Sequence, residues 1–402
     1  MRLTHLGLTN FRVYRRLDLT LSPGVTLLVG DNAQGKTALL EAIYYLATSR
    51  SPRGSADREM LAWAARDEPL PFSRVTGEVL RADGSVRLEI VTVRPPGEPM
   101  GRLEKRVKID GVTRRALDLL GQVNVVLFAP EDIALLEEGP GVRRRYLDAA
   151  LCQLDARYCY ALGQYRKVVT QRNSLLRRIQ DGLARRDEIG VWDELLIEHG
   201  ALLTARRHAW LRLLAERGDP IHRDLTGGRD PIHINYRPSA LFSQSEPLRT
   251  PGAAEAAQAV LSRDELPLDT VRVAFRARLA GRAAAEVRAG ATLVGPHRDD
   301  FLLLSHGVDL HIYGSRGQKR TAALALKLAE AEGMQATTGE APLLLLDDVM
   351  SELDALRRAY VAERMLRHDQ TLATATDWSD FSPDLQARAT RLTVRGGAVT
   401  PA

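Results

Sequence analysis

Apolar residues fall into three rhythms along this chain. Two short runs are almost unbroken, Val25-Thr26-Leu27-Leu28-Val29 and Ala341-Pro342-Leu343-Leu344-Leu345-Leu346. Runs of this kind, closed off by polar residues, predict strands buried on both faces as in a parallel sheet. Residues 123–128 form another run of that type. Elsewhere apolar and polar positions alternate. Leu3, Leu6 and Leu8, then Leu17, Leu19 and Leu21, predict two strands joined around Asn10-Phe11-Arg12. Residues 75–80 and 86–93 flank the turn Ala82-Asp83-Gly84-Ser85, and 106–109 with Asp110-Gly111 predicts a further hairpin arm beyond a loop at Pro95-Pro96-Gly97. The third rhythm is helical. It holds Leu39, Leu40, Ile43, Tyr44 and Ala47, and later Leu175, Leu176, Ile179 and Leu183. No proline occurs between Pro140 and Pro220, so residues 141–218 predict two or three long amphipathic helices broken near 182–190. Residues 219–260, rich in Pro, Gly and Ser, read as loops with a short element at 233–236. Regular structure resumes over 271–279 and runs as helix to 288.

Composition narrows the class without choosing within it. A chain of 402 residues is long enough for two or three domains. Its 45% hydrophobic and 27% charged residues are ordinary for a soluble globular protein. The net charge of +5 rests mostly on Arg and permits a nucleic-acid partner without requiring one. Arg143-Arg144-Arg145, Arg177-Arg178, Arg185-Arg186 and Arg206-Arg207 fit a solvated helical surface or a DNA-contacting one. Cys152 and Cys159 match no common zinc or redox spacing and read as idle thiols. The absence of a signal peptide and of any apolar run of roughly 18 residues predicts a cytoplasmic protein.

The chemistry is concentrated after the first buried run. Gly30-Asp31-Asn32-Ala33-Gln34-Gly35-Lys36-Thr37 fits G-x-x-x-x-G-K-[ST] between a predicted strand and a predicted helix. Glycines let the backbone approach a ligand closely, and loop N–H groups with the positive helix end surround phosphate oxygens. Lys36 supplies charge to the β- and γ-phosphates, and the Thr37 hydroxyl is a Mg²⁺ ligand. ATP and Mg²⁺ are thus the expected cofactors. Asn10-Phe11-Arg12 either reaches the nucleotide through Arg12 or is a plain hairpin turn.

The second buried run ends in Asp347-Asp348, which a parallel strand delivers to the same edge of a sheet. Asp347 is expected to hold Mg²⁺ and Asp348 to orient or deprotonate the attacking water; a cap for the helix that follows is the alternative, which pairing with the P-loop outweighs. Ser315-Arg316-Gly317-Gln318, before the strongly helical 321–332, offers a second anion site at a helix start. One nucleotide needs one cradle, so a second implies that each nucleotide lies between two copies of the chain. A strand over 370–374 ends in Ala375-Thr376-Asp377, where a polar side chain can sense the γ-phosphate.

This order of motifs resembles the ATP-binding-cassette (ABC) heads of the chromosome-maintenance and Rad-fifty type ATPases, and more narrowly the RecF family. The resemblance runs from Leu8-Thr9-Asn10-Phe11-Arg12 to Thr374-Ala375-Thr376. Two stretches carry it most specifically. One is Phe128-Ala129-Pro130-Glu131-Asp132-Ile133, continued through Gly139-Pro140 to Arg143-Arg144-Arg145-Tyr146-Leu147-Asp148. The other is Gly295-Pro296-His297-Arg298-Asp299-Asp300. The resemblance implies an α/β fold, an ABC-type P-loop ATPase head of mixed sheets and helices with a mostly α-helical second lobe inserted. On that plan residues 1–140 and 291–402 form the ATPase lobe and 141–290 the helical one. The later part of the ATPase lobe would hold the signature motif, the Walker B strand and the D-loop.

By the same resemblance Ser315, Arg316, Gly317 and Gln318 form the signature motif, acting in trans on the partner's ATP, and Ser351 to Asp354 form the D-loop. Asp348 stands where most cassette ATPases have Glu, a feature that the RecF pattern shares. Thr374 or Thr376 stands where transporter cassettes have a switch His, and both features imply slow hydrolysis; the resemblance as a whole implies a weak ATPase stimulated by DNA. The lobe-coupling Gln falls at Gln122 or near Glu131-Asp132. The implied protein is an ATP-dependent homodimer that binds double-stranded, gapped or junction DNA. It works with the RecO and RecR mediators to help load RecA on SSB-covered gaps, in recombinational repair and the SOS response. The alternatives are the ATPase subunit of an ABC transporter, a chromosome-structure ATPase with far longer heptad arms, and a small-molecule P-loop kinase. The helical insert between Thr37 and Ser315 separates the first from this chain, the short Pro-free region the second, and the second cradle the third.

Overall fold

The computed structural model describes residues 1–53, 57–65, 68, 70–94, 103–242, 262 and 265–402. The loop expected at Pro95-Pro96-Gly97 and the stretch 243–260 lie outside the described residues. In chain order the strands are β1 (Arg2–Phe11), β2 (Tyr14–Thr20), β3 (Gly24–Val29), β4 (Phe72–Arg81), β5 (Gly84–Val93), β6 (Glu104–Ile109), β7 (Val112–Arg114) and β8 (Val125–Phe128). They continue with β9 (His233–Arg237), β10 (Asp300–Ser305), β11 (Val308–Asp309), β12 (Leu343–Asp347), β13 (Gln370–Ala375), β14 (Thr390–Arg395) and β15 (Ala398–Pro401). Two compact units result: residues 1–132 with 330–402, and residues 133–329.

The first unit contains two six-stranded sheets. In one, the alternating stretches pair antiparallel in the order β2-β1-β4-β5-β6-β7, with apolar residues such as Leu3, Leu6, Leu8, Val75, Val79, Leu88 and Ile90 on the covered face. In the other, of order β15-β14-β3-β13-β12-β8, the unbroken runs lie parallel, β3 and β12 inside the sheet and β8 at its edge. Leu343, Leu344, Leu345 and Leu346 are all buried, which fits a strand covered on both faces. Helix Lys36–Thr48 shares one apolar core with both sheets. Burying each of its Leu and Ile side chains contributes about 1.5–3 kcal/mol. A buried Gln370 ties the sheets together by their backbones: its Oε1 accepts from Leu3 N at 2.7 Å, and its Nε2 donates to Leu3 O at 2.8 Å and Ser22 O at 3.1 Å.

The second unit is built on helices Pro140–Leu154, Ala156–Gln180, Gly190–Leu225 and Leu268–Ala289, with a three-stranded sheet β11-β10-β9. Asp155 starts the second of these helices by accepting from Arg157 N and Tyr158 N. The break expected near 182–190 is found, but the third helix does not stop before Pro220. It continues for five further residues because Ile221, His222 and Leu225 are buried, which offsets the hydrogen bond that proline cannot donate. Cys152 and Cys159 are both buried.

The unit boundaries differ from the expected ones. The first falls after residue 132 rather than 140, and the second after 329 rather than 290. β9 pairs antiparallel with β10, from Arg237↔Asp300 to His233↔Leu304, so the chain beyond 290 completes the sheet of the helical unit. Ser315-Arg316-Gly317-Gln318 therefore belongs to the second unit, not to the one that holds the P-loop.

Candidate nucleotide-binding site

β3, β13 and β12 run parallel, in register from Val29↔Ala375 and Leu28↔Thr374 to Thr374↔Asp347. Their carboxyl ends thus share one edge, the usual place for a ligand in an open α/β sheet. The loop 30–35 leaves β3 at that edge and helix Lys36–Thr48 starts from it. Gly30 cannot carry a side chain, since a Cβ there would lie 2.2 Å from the carbonyl oxygen of Val394. Lys36, only 7% exposed, turns back across the loop and donates to Gly30 O at 2.5 Å and Asp31 O at 2.9 Å. Burial holds its pKa below the usual lysine range, opposed by the charges of Asp348, Asp347 and Asp31.

Thr37 Oγ1 donates to Asp347 Oδ1 at 2.9 Å, and Thr374 Oγ1 donates to the same oxygen at 2.9 Å. Thr374 Oγ1 also accepts from Asp348 N at 3.0 Å. Thr374 is thus the buried pin between the two carboxylate residues, whereas Thr376 is exposed. Burial pushes the Asp347 carboxyl up, against hydrogen bonds from Thr37 and Thr374 and the charge of Arg53; Glu131 adds to the rise. Burial likewise raises Asp348, against a hydrogen bond from Ser351 and the charge of Lys36, with Asp380 and Glu352 pushing the same way. Asp348 sits at φ 53°, a strained torsion for a residue with a side chain.

Among the described residues no cluster of three or more His, Cys, Asp or Glu could cage a metal. The donor set nevertheless fits Mg²⁺, which typically takes one carboxylate, a hydroxyl and substrate phosphates. Thr37 and Asp347 present two hard oxygens within hydrogen-bond distance, and a cation there would compensate a carboxylate that burial disfavours.

Arg12 is engaged elsewhere. Its guanidinium donates to Glu41 from Nε at 2.8 Å and from NH2 at 2.7 Å, and to Glu59 O from NH1 at 2.8 Å. Glu41 lies on the helix that follows the P-loop, so Arg12 ties the β1–β2 turn to that helix. Gln122 is also turned aside, held by Arg81 NH1 and Asp118 O. Glu131 faces Asp347 electrostatically, and Arg53 was not singled out by any motif.

The second cradle stands at the start of helix Arg316–Thr338. Ser315 Oγ accepts from Gln318 N at 3.2 Å, and Gln318 Oε1 accepts from Ser315 N at 2.9 Å, a reciprocal cap. Ser315, Arg316, Gly317 and Gln318 are all exposed. Ser351 Oγ donates to Asp348 O at 2.9 Å, and Asp354 caps helix Ala355–Arg367.

The two stretches that carried the family resemblance meet inside the second unit. Arg143 pairs bidentately with Asp300 at 2.7 and 3.0 Å, and Arg144 donates to Asp299 O. Arg207, 2% exposed, binds Asp299 Oδ2 at 3.0 Å, Asp148 Oδ1 at 2.9 Å and Tyr158 OH at 3.0 Å. Arg143 and Arg207 are thereby removed from any surface role. Arg145, Arg177, Arg178, Arg185, Arg186 and Arg206 remain exposed. Among the described residues no helix is long and apolar enough to cross a membrane.

Comparison with known proteins agrees with this geometry. Residues 2–378 match the RecF/RecN/SMC N terminal domain family. The chain is 46% identical over 416 residues to the DNA replication and repair protein RecF of Roseiflexus castenholzii, covering 100% of both chains. It is 47% identical over 408 residues to that of Chloroflexus aggregans, covering 99% of each. A solved structure described as the recombination mediator protein RecF-ATP in the RecFOR pathway superposes with a TM-score of 0.82 at 34% identity, covering 100% of this chain and 97% of the other.

Proposed function

This chain belongs to the RecF family of DNA replication and repair proteins, and on that premise we propose that it is an ATP-switched DNA clamp. The observation that carries the reading is the chain of hydrogen bonds Thr37–Asp347–Thr374–Asp348 beside Lys36. In this reading the loop N–H groups and Lys36 hold the phosphates of ATP. Thr37 and Asp347 hold Mg²⁺, which when bound neutralises charge on the β- and γ-phosphates. Asp348, whose raised pKa suits it to accept a proton, orients the attacking water. Ser315 and Gly317 of a second copy close on the γ-phosphate, and their exposure in one chain supports this.

Two copies closed on ATP bring their basic surfaces to DNA, and hydrolysis releases it. Arg177, Arg178, Arg185 and Arg186 are exposed and gather at the connection between two long helices, which favours them as the contacts. The cellular role in this reading is at gaps and junctions, with RecO and RecR, in support of RecA loading and the SOS response.

The test is filter binding of gapped duplex DNA by wild type and Asp348→Asn, with ATP and across salt. Expected are a DNA complex of the variant that outlives the wild-type one by at least tenfold, and affinity falling steeply with salt without base preference. A variant that hydrolyses ATP at the wild-type rate would remove Asp348 from the mechanism.

A further inference from the structure

The phosphate loop is not free-standing. Three of its residues rest on the hairpin formed by β14 and β15 or on the β1–β2 turn that this hairpin touches. Gly30 lies so close to Val394 of β14 that no side chain fits between them. Gln34, inside the motif, spends both of its carbonyl oxygens on the hairpin tip: Oε1 accepts from Gly396 N at 2.7 Å, and its backbone oxygen accepts from Gly397 N at 3.1 Å. Gly396 and Gly397 have φ of 56° and 75°, the torsions that a tight two-residue hairpin requires. Gly397 in turn abuts Val13, whose carbonyl oxygen would be 2.7 Å from a Cβ placed there. Val13 closes the circle, since its Cγ2 would be 2.8 Å from a Cβ on Gly35. Tyr14 adds a hydrogen bond from its hydroxyl to Gly35 O at 3.0 Å.

From this ring of contacts we infer that the C-terminal hairpin is a positioning element of the nucleotide site, acting through Gln34. The inference rests on the nucleotide reading above and adds a part that the motif does not contain. Phosphate binding needs the loop N–H groups to converge, which Ala33 at φ 64° does not favour in isolation. The residue after Ala33 is the one bonded to the hairpin at two points. Gln34 thus ties the loop to the hairpin through its two carbonyl oxygens, and ATP meets a preformed cradle instead of ordering one.

The experiment measures binding of N-methylanthraniloyl-ATP with Mg²⁺ to the full chain. Variants are Gln34→Met, which keeps the shape and loses the side-chain acceptor, and Gly397→Ala, which strains the tip. Lys36→Ala serves as the control, and thermal unfolding is followed for each. Losing one such hydrogen bond is expected to weaken affinity roughly three- to tenfold in Gln34→Met, with the unfolding temperature little changed. Amide exchange over residues 31–35 should speed up without nucleotide while that of β13 does not. Wild-type affinity and exchange in Gln34→Met and Gly397→Ala, alongside lost binding in Lys36→Ala, would overturn the inference alone. Undiminished binding in Lys36→Ala would overturn the nucleotide reading and this inference with it.

Discussion

The two units use charge in opposite ways. At its phosphate loop the first leaves two carboxylates short of positive partners: Asp347 and Asp348 are both raised by burial, and Lys36 bonds to loop carbonyls instead of to either of them. The second closes its charges on one another, with Arg207 bonded to Asp148 and Asp299, and Arg172 to Asp193 and Glu286. In the proposed function this site takes a triphosphate and a cation, and its open bonding capacity suits that role. A scaffold that must hold long helices in register leaves none. Strong hydrogen bonding alone therefore does not mark function in this molecule; incomplete compensation does.

That contrast can be broken at its strongest point. Arg207→Met leaves Asp148 and Asp299 buried beside an apolar side chain, and should destabilise the second unit by about 3–5 kcal/mol. Denaturant unfolding followed by the fluorescence of Trp192 and Trp210 measures it. Lys36→Met, by unfolding followed at Trp63 and Trp378 of the first unit, should leave stability almost unaltered while abolishing nucleotide binding. Equal destabilisation by both would dissolve the distinction between the units.

A smaller effect sharpens it. His297 bonds to Tyr165 OH at 2.7 Å and to Thr292 O at 3.0 Å. Burial, with Arg298, Arg144 and Arg172 close by, pushes its pKa down to about 4. Between that value and about 6.5 the unfolded chain takes up a proton that the folded chain refuses, so stability falls as pH drops through this window. The loss should be on the order of 3 kcal/mol by pH 4, and His297→Gln should flatten that part of the profile. An unchanged slope in the variant would show that His297 is protonated in the fold.

What the sequence disclosed follows the same division. The P-loop between β3 and its helix, and Asp347-Asp348 at the end of β12, were legible because each is a local pattern whose spacing reports its own geometry. Partners far apart in the chain left no such trace. Gln34 and Gly396 are separated by 362 positions, and Arg143 and Asp300 by 157. Nothing near Arg12 in sequence announced Glu41 as its partner either. The boundary expected at 290 failed for a related reason, since only the pairing of β9 with β10 reveals which unit the later segment completes. Gly295-Pro296-His297-Arg298-Asp299-Asp300 shows no apolar rhythm, yet Asp299 is 1% exposed and accepts from Arg207, Tyr236 and Ser239.

In the proposed function ATP joins two chains, the P-loop of one facing Ser315 of the other. Sedimentation velocity of wild type and Ser315→Arg, each with and without ATP and Mg²⁺, tests it most directly. The account predicts a wild-type dimer that forms only with nucleotide and is lost in the variant. A wild-type monomer at saturating ATP and DNA, or a dimer unaffected by Ser315→Arg, would contradict it.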